Sequence, residues 1–365
     1  MCPASNARLR QLESENARLR KLLDGVTSDN SQMRRALGLP RAGTLAATID
    51  AEKTGALIRG SQVAMAFEAL GDRWSFLVLR DIFLGSRRFE NLVRSTGASR
   101  ATLAERLRSL VKEGVLRRQP YQTRPLRYEY HLTKKGADLY PTALMYWLWE
   151  RNWGGTPSLP SRLVHETCGE TTTPVLSCRH CRERIDIRSV RAEIAAKPTL
   201  RHMSLPKRRR LRAADNYRRS TRSKSLHIID VIGDRWTALI QAAAYFGLVR
   251  YADIQAALAI PTTTLADRLN LLVENGVFSR DPYQSRPMRH DYRLTEKGRA
   301  LYDSAFTLHE WANRWLVRGR PAALALFHRH CDKPAESVLL CSHCSEELKM
   351  GEVELTPDRS SRKSP

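Results

Sequence analysis

Residues 88–118 read RFENLVRSTGASRATLAERLRSLVKEGVLRR, and their pattern is the most informative about the fold. Its second half carries apolar residues at helical spacing, namely Leu103, Leu107, Leu110 and Val111. Such a stripe predicts an amphipathic helix with one buried face. Ser99 suits the N-cap of this helix and Gly114 its end. A shorter helix over 89–95 precedes it across a tight turn that contains Gly97. The stretch therefore predicts a helix-turn-helix.

The next segment predicts a hairpin. Residues 121–136 read YQTRPLRYEYHLTKKG, in which Tyr128, Tyr130 and Leu132 alternate with polar residues after a turn at 123–126. Alternation of this kind is typical of a strand with one buried face. Two helices, a tight turn and a hairpin together predict a winged helix-turn-helix.

The chain of 365 residues carries this unit twice. Gly71-Asp-Arg-Trp74 recurs 162 residues later as Gly233-Asp-Arg-Trp236, and the apolar stripe recurs within 265–273 at the same offset. The predicted fold is mainly α with small β-hairpins (α+β), built from tandem winged helix-turn-helix domains. The predicted segments are a coiled-coil helix (1–40), a first winged helix domain (57–155), a Cys/His knuckle (161–190), a basic connector (199–224), a second winged helix domain (225–318), a second knuckle (324–352) and a disordered tail (357–365).

Charge and composition restrict the partner and the compartment. Lysine and arginine number 61 against 38 acidic residues, a formal net charge of +23 that attracts polyanions. The most apolar stretch, near 238–249, is shorter than the roughly 20 residues that span a bilayer, and the N-terminus lacks a secretory signal. We therefore expect a cytoplasmic, nucleoid-associated protein that binds double-stranded DNA and no membrane. No phosphate-binding glycine loop or nucleophile pattern points to an enzyme.

In a winged helix-turn-helix the second helix enters the major groove, and the wing contacts phosphates or the minor groove. The recognition helices are predicted at about 99–113 and 261–275. The candidate DNA-binding residues are outward-facing arginines and threonines of these helices and of the two wings: Arg100, Thr102, Arg106, Arg117, Arg118, Arg124, Arg127, Thr262, Thr264, Arg268, Arg280, Arg286 and Arg289. The second recognition helix lacks a counterpart of Arg100, so we expect the two halves to read different sequences.

These motifs together resemble the HxlR-type winged-helix transcriptional regulators of bacteria. The resemblance rests on Gly-Asp-Arg-Trp, on the two stretches quoted above and on their repeats in the second copy, and it covers about half of the chain. It implies a transcriptional regulator in which two recognition helices read a palindromic site, usually as a homodimer of single domains. The alternatives from composition are a sequence-indifferent nucleoid protein or an RNA-binding protein.

Each copy ends in a cysteine-rich segment that predicts a metal site. His165, Cys168, Cys178 and Cys181 recur 163 residues later as His328, Cys331, Cys341 and Cys344. Two closely spaced ligand pairs are typical of tetrahedral structural zinc, so we predict one zinc ion in each copy. The alternative is a thiol-based redox switch, as in some members of the resembled family. His180, His330 and His343 are alternative histidine ligands.

The N-terminal segment predicts a dimerisation helix. Leu9 starts a heptad pattern that continues to Leu37, with Asn16 and Asn30 at a positions. We expect either a homodimer through residues 9–37 or pairing of the two winged helices within one chain. A helix docked on its own body is the alternative for this segment.

Overall fold

A computed structural model describes residues 51–154, 159–194, 227–317 and 324–356, together with Glu15. The predicted coiled coil, apart from that single residue, lies outside the described residues. The basic connector and the C-terminal tail also lie outside them. Within the described ranges, every helix is too short or too polar to cross a bilayer.

The first copy contains the predicted helices and hairpin, followed by four short strands. Its elements are α1 (Ala51–Arg59), α2 (Gln62–Leu70), α3 (Arg73–Phe83), α4 (Phe89–Thr96), α5 (Arg100–Lys112), β1 (Leu116–Thr123), β2 (Leu126–Leu132), α6 (Lys134–Ala137), α7 (Tyr140–Trp153), β3 (Arg162–His165), β4 (Thr171–Thr172), β5 (Pro174–Cys178) and β6 (Val190–Ile194). The antiparallel wing β1–β2 pairs Leu116 with Leu132. The expected winged helix-turn-helix is thus present.

The second copy repeats this order. Its elements are α8 (His227–Ile232), α9 (Arg235–Tyr245), α10 (Tyr251–Leu258), α11 (Thr262–Glu274), β7 (Phe278–Ser285), β8 (Met288–Leu294), α12 (Glu296–Arg299), α13 (Tyr302–Trp315), β9 (Leu324–His328), β10 (Lys333–Pro334), β11 (Ser337–Cys341) and β12 (Val353–Thr356). The wing β7–β8 pairs Phe278 with Leu294, the counterparts of Leu116 and Leu132.

In each copy, the helix that precedes the Gly-Asp-Arg-Trp motif packs against the other copy. Helix α2 packs against α9 and α13 of the second copy, and α8 packs against α3 and α7 of the first. Both helices are rich in buried apolar residues, and those residues join one cluster that includes Leu103 and Leu265. Because the apolar surface of each helix is buried by the other copy, the two winged helices form one core.

The closing helices α7 and α13 lie against each other, and each donates a hydrogen bond to the short helix, α12 or α6, that precedes the other. The Trp149 indole Nε1 donates to the Lys297 carbonyl at 3.0 Å. The Trp311 indole donates to the Lys135 carbonyl at 2.8 Å, which is the same contact with the copies exchanged. The structure thus pairs the winged helices within one chain, which is one of the two expected assemblies.

The cysteine-rich segments also exchange strands. Strand β3 of the first copy pairs with β12 of the second, and β6 of the first pairs with β9 of the second. Strands β5 and β11 pair antiparallel, with Leu176 opposite Leu339. These residues are equivalent in the two copies, so a pseudo-twofold axis passes between them. The expectation of two self-contained knuckles is wrong, because the sheets are built from both copies.

Candidate functional site

The recognition helix α5 is held by the features that predicted it. The Ser99 hydroxyl caps the helix by accepting a hydrogen bond from the Thr102 amide at 3.1 Å. Gly114 follows the helix with φ of +70°, a conformation that favours glycine. Leu103, Leu107 and Leu110 are fully buried, which turns the opposite face of the helix outward.

Arg106 is not on that outward face. Its guanidinium Nη2 lies 2.7 Å from Asp72 Oδ2, and its side chain is 18% exposed. Asp72 also caps α3 by accepting from the Trp74 amide through Oδ1 at 3.1 Å. One carboxylate of the Gly-Asp-Arg-Trp motif therefore begins the core helix and anchors the recognition helix to it.

The second copy has the same anchor. Arg268 Nε lies 2.6 Å from Asp234 Oδ2, and its side chain is 12% exposed. The expectation that Arg106 and Arg268 face outward is therefore wrong, because each is held by an aspartate beside the core. The helical repeat contained this signal, since Arg106 lies three residues after Leu103 and four before Leu110, beside the buried stripe.

The outward residues at the start of α5 include Arg100. Arg100 forms a two-pronged ion pair with Glu90 of α4, at 2.7 and 2.6 Å, and stacks over Phe89. The hydrogen bond from Arg100 lowers the pKa of Glu90. Thr102, the other candidate on this helix, is half-buried, and its hydroxyl lies 2.9 Å from the Ser99 hydroxyl.

Arg108 is an exposed residue of α5 that was not among the candidates predicted from the sequence. It lies three residues after Glu105, on the outward face of the helix. Its counterpart in α11 is Asn270, which is also exposed. The spacing of the leucine stripe was the signal that could have identified both residues.

Helix α11 presents a different surface. Its only arginine is the anchor Arg268, and its outward residues include Thr262 and Asp267. The Thr262 carbonyl accepts a hydrogen bond from the Tyr251 hydroxyl at 2.8 Å, and its hydroxyl oxygen lies 3.2 Å from Gln255 Nε2. Thr264 is half-buried. This helix carries no exposed arginine and one exposed aspartate.

The two wings expose every arginine that the sequence assigned to them: Arg117, Arg118, Arg124, Arg127, Arg280, Arg286 and Arg289. Arg118 stacks over Tyr128 with 4.7 Å between its guanidinium carbon and the ring centroid. On each wing, Arg88 stacks over Tyr121 and Arg250 over Tyr283. These two stacked pairs were missed, although Arg88 and Arg250 occupy equivalent positions in the repeat.

The eight predicted metal ligands come together in two groups, but each group combines the two copies. One group contains His165, Cys168, Cys341 and Cys344, and the other contains Cys178, Cys181, His328 and Cys331. The predicted grouping within each copy is therefore wrong. The exchange of β12 and β6 brings the second ligand pair of one copy to the first pair of the other.

The distances within each group fit a tetrahedral zinc ion. Zn–S bonds of about 2.3 Å and Zn–N bonds of about 2.0 Å would separate two sulfurs by about 3.8 Å, and a sulfur from a nitrogen by about 3.5 Å. The Sγ atoms of Cys168 and Cys341 are 3.9 Å apart, and those of Cys178 and Cys331 are 3.8 Å apart. In both groups the histidine Nδ1 lies 3.3 to 3.6 Å from two sulfurs.

The two groups differ in the hydrogen bonds that surround their ligands. The His328 Nε2 lies 3.3 Å from the Arg184 carbonyl, so its N–H can donate there while Nδ1 faces the sulfurs. The His165 Nε2 is buried and has no partner among the described groups. Burial raises the pKa of Cys341, but hydrogen bonds from the Thr172 hydroxyl and nearby amides lower it overall to about 6. That shift favours the thiolate that binds metal.

Comparison with known proteins agrees with the duplicated fold. A family model described as HxlR-like helix-turn-helix matches residues 69–157 and 231–320. An uncharacterised HTH-type transcriptional regulator of Mycobacterium bovis is 43% identical over 130 residues, which are 36% of this chain and 81% of that protein. The HTH-type regulator YvaP of Bacillus subtilis, also uncharacterised, is 36% identical over 89 residues, 24% of this chain and 82% of that protein. The chain belongs to the HxlR-like helix-turn-helix family and contains its domain twice.

Proposed function

We propose that this protein is a transcriptional regulator that binds duplex DNA through α5, α11 and the two wings, with the first winged helix contributing more of the affinity. The observation that supports this most strongly is the pairing of two exposed basic wings and two recognition helices through one shared core. A single chain thus has the two reading units that the single-domain members of its family obtain by dimerisation.

The unequal roles follow from the charge that remains exposed. With Arg106 and Arg268 held by aspartates, α5 still exposes Arg100 and Arg108, whereas α11 exposes Asp267. An arginine can bind guanine through two hydrogen bonds or a phosphate through its charge, whereas an aspartate is repelled by phosphates. We therefore expect an asymmetric site in which one half is read more strictly.

The test is selection of duplexes from a random pool by the full chain, followed by affinity measurement at several salt concentrations. A specific regulator prefers the selected duplex over random DNA by about a thousandfold or more at physiological salt. Arg124→Ala should weaken binding to both duplexes and reduce the salt slope by about 1, as loss of a phosphate contact does. Arg188→Ala, an exposed arginine of the cysteine-rich segment, is the control. Equal binding to selected and random duplexes would favour the nucleoid alternative.

We propose further that each mixed Cys3His group binds one structural zinc ion. Three sulfurs and one imidazole nitrogen converge in each group. Four protein ligands leave no position for a reactive water, which fits a structural role. The zinc would join the copies, because each ion would be held by residues from both.

The redox alternative is tested by the same protein. A disulfide uses two sulfurs and no imidazole, so it does not account for the converging histidine Nδ1 atoms. Protein purified under reducing conditions should contain two zinc ions by elemental analysis. Metal-free protein that keeps its fold and gains a disulfide on mild oxidation would favour the thiol switch.

We propose that the N-terminal segment joins two chains in the cytoplasm through residues 9–37. The heptad pattern supports this, and the core that the described residues of both copies share supports winged helices that are independent of such a dimer. A fragment that begins at residue 46 should then be monomeric by light scattering and still bind both half-sites, while the full chain is dimeric. A fragment that remains dimeric would place the interface elsewhere.

A further inference from the structure

A cavity of about 460 Å³ lies in the first winged helix, where α3 and α7 meet the last strand of the second copy. Its walls are mostly apolar and aromatic. They include Leu79 and Phe83 from α3, Trp147 from α7, and Leu355 from β12. This volume falls within the range of sites that enclose small organic molecules.

Among the described residues that line the cavity, one polar group lacks a partner. Tyr140 lines the cavity, and its hydroxyl is buried without a hydrogen-bond partner in the described part of the chain. Burial raises the pKa of Tyr140, so its hydroxyl remains a hydrogen-bond donor. A buried hydroxyl without a partner is costly, and a ligand acceptor would remove that cost.

The charges at the cavity limit the net charge of the ligand. Arg80 lines the cavity, and its guanidinium lies 2.6 Å from the carboxylate of Asp81. Glu354 contributes the opposite charge to the lining. Positive and negative groups are thus both present, which favours a neutral ligand.

The second copy differs at the same positions. Phe83 is replaced by Tyr245 and Trp147 by His309. The counterpart of Tyr140 is Tyr302, whose ring packs edge-on against Tyr245 at 5.4 Å. The second copy therefore supplies matched controls for each cavity variant.

The cavity is connected to the recognition helix through α3. One end of α3 carries Asp72, which anchors Arg106 of α5. Near its other end, Asp81 accepts a hydrogen bond from the Ser95 hydroxyl at the end of α4. A ligand that moved α3 relative to β12 would therefore also move both helices of the first helix-turn-helix.

We infer that this cavity binds a neutral, largely aromatic small molecule with one hydrogen-bond acceptor, and that its binding changes the affinity of the first winged helix for DNA. The second half of this inference rests on the proposed DNA-binding function. The first half concerns the cavity alone and is measured without DNA.

The probe for binding is prodan, a neutral naphthalene that carries a ketone and whose emission shifts to the blue in apolar surroundings. Titration into the full chain should saturate at one prodan per chain. Ala143→Phe, which adds a ring to the cavity wall on α7, should abolish the saturable signal. Ala305→Phe, the equivalent change on α13, should leave it intact. Circular dichroism and thermal unfolding verify that both variants fold.

A milder pair of variants tests the hydroxyl. Tyr140→Phe should weaken prodan binding by about three- to tenfold, as expected for one lost hydrogen bond, whereas Tyr302→Phe should not change it. Equal effects of the two phenylalanine variants, or the absence of saturable binding by the wild-type chain, would overturn the assignment of the cavity.

The regulatory half is tested by measuring affinity for a selected duplex with and without saturating prodan. We expect a change of about fivefold or more, which is absent in Ala143→Phe. Prodan binding that leaves DNA affinity unchanged would overturn the regulation. A chain that binds prodan but no specific duplex would instead contradict the proposed DNA-binding function.

Discussion

The sulfur atoms of Cys168 and Cys341 lie 3.9 Å apart, although 173 residues separate them in the chain. They belong to different copies of the duplicated unit and to the same group of four ligands. A metal ion at this position would therefore hold the two copies together and would also stabilise the turns that carry the ligands.

Pairs of serine substitutions distinguish the mixed grouping from a grouping within each copy. Cys168→Ser combined with Cys344→Ser alters one mixed group, so the protein should retain one zinc ion per chain. Cys168→Ser combined with Cys178→Ser alters both mixed groups, so the protein should retain none. Elemental analysis after dialysis measures this directly. Grouping within each copy would give the reverse result.

The two groups should also release metal at different rates. The His328 ring has a carbonyl partner at Nε2, whereas His165 Nε2 has none among the described residues. Such outer partners typically contribute 10- to 100-fold to metal affinity. A chelator should therefore first remove the ion bound by His165, Cys168, Cys341 and Cys344. Release can be followed with a zinc-sensitive dye, with Cys168→Ser and Cys178→Ser identifying the two phases. Equal rates from both groups would contradict the prediction.

Arg106→Ala should destabilise the first winged helix. It should not change the base preference at any single position of the DNA site. Its partner Asp72 also caps α3, so Asp72→Asn is the cleaner partner variant because asparagine retains the cap. We expect each substitution to lower the free energy of unfolding by about 1–3 kcal/mol, and the double variant to lose little more than either single variant. Chemical denaturation measures these values. The same base preference with lower affinity for every duplex would agree with an anchoring role, whereas altered preference at one position would indicate a base contact.

Arg108→Ala and Asn270→Ala compare the two recognition helices at equivalent exposed positions. If α5 contributes more of the affinity, Arg108→Ala should cost about 1–3 kcal/mol of specific binding and Asn270→Ala clearly less. Fluorescence anisotropy on the selected duplex measures both. A larger loss of affinity for Asn270→Ala would contradict the proposal that the first winged helix contributes more of the DNA affinity.

Glu310 predicts a pH dependence of stability. Burial raises the pKa of this carboxyl to about 7, although it accepts hydrogen bonds from Ser337. A folded pKa above the unfolded value means that the ionised form opposes folding, so its destabilising effect develops as pH rises from about 4.5 to 7.

Glu310→Gln removes that ionisation and keeps an acceptor for the Ser337 amide. At pH 8 the variant should be more stable than wild type by up to about 3 kcal/mol, and the gap should close as pH falls towards 4.5. Denaturant unfolding of both proteins across this range measures the difference. A gap that is constant with pH would show that Glu310 does not titrate in this way.

The local elements and the residue types that carry the chemistry are predictable from the sequence alone. The leucine stripe of α5, the cap at Ser99 and the alternation in β2 are properties of residues close together in the chain, and local geometry fixes their spacing. The same holds for the duplication and for the eight Cys and His ligands, since their residue types and short spacings are visible without any contact.

The partners that these elements contact depend on tertiary packing and are not predictable from local sequence. The two copies are so similar that Cys341 and Cys344 could in principle complete either His–Cys pair, and spacing along the chain does not distinguish the choices. Burial decides, because α2 and α8 bury their apolar residues on the opposite copy and the strands β6 and β12 are exchanged as well. The position of the Arg106 side chain is a second example of a feature that local sequence does not predict. Its charge predicted an outward residue, but the carboxylate of Asp72, 34 positions away, holds it against the core.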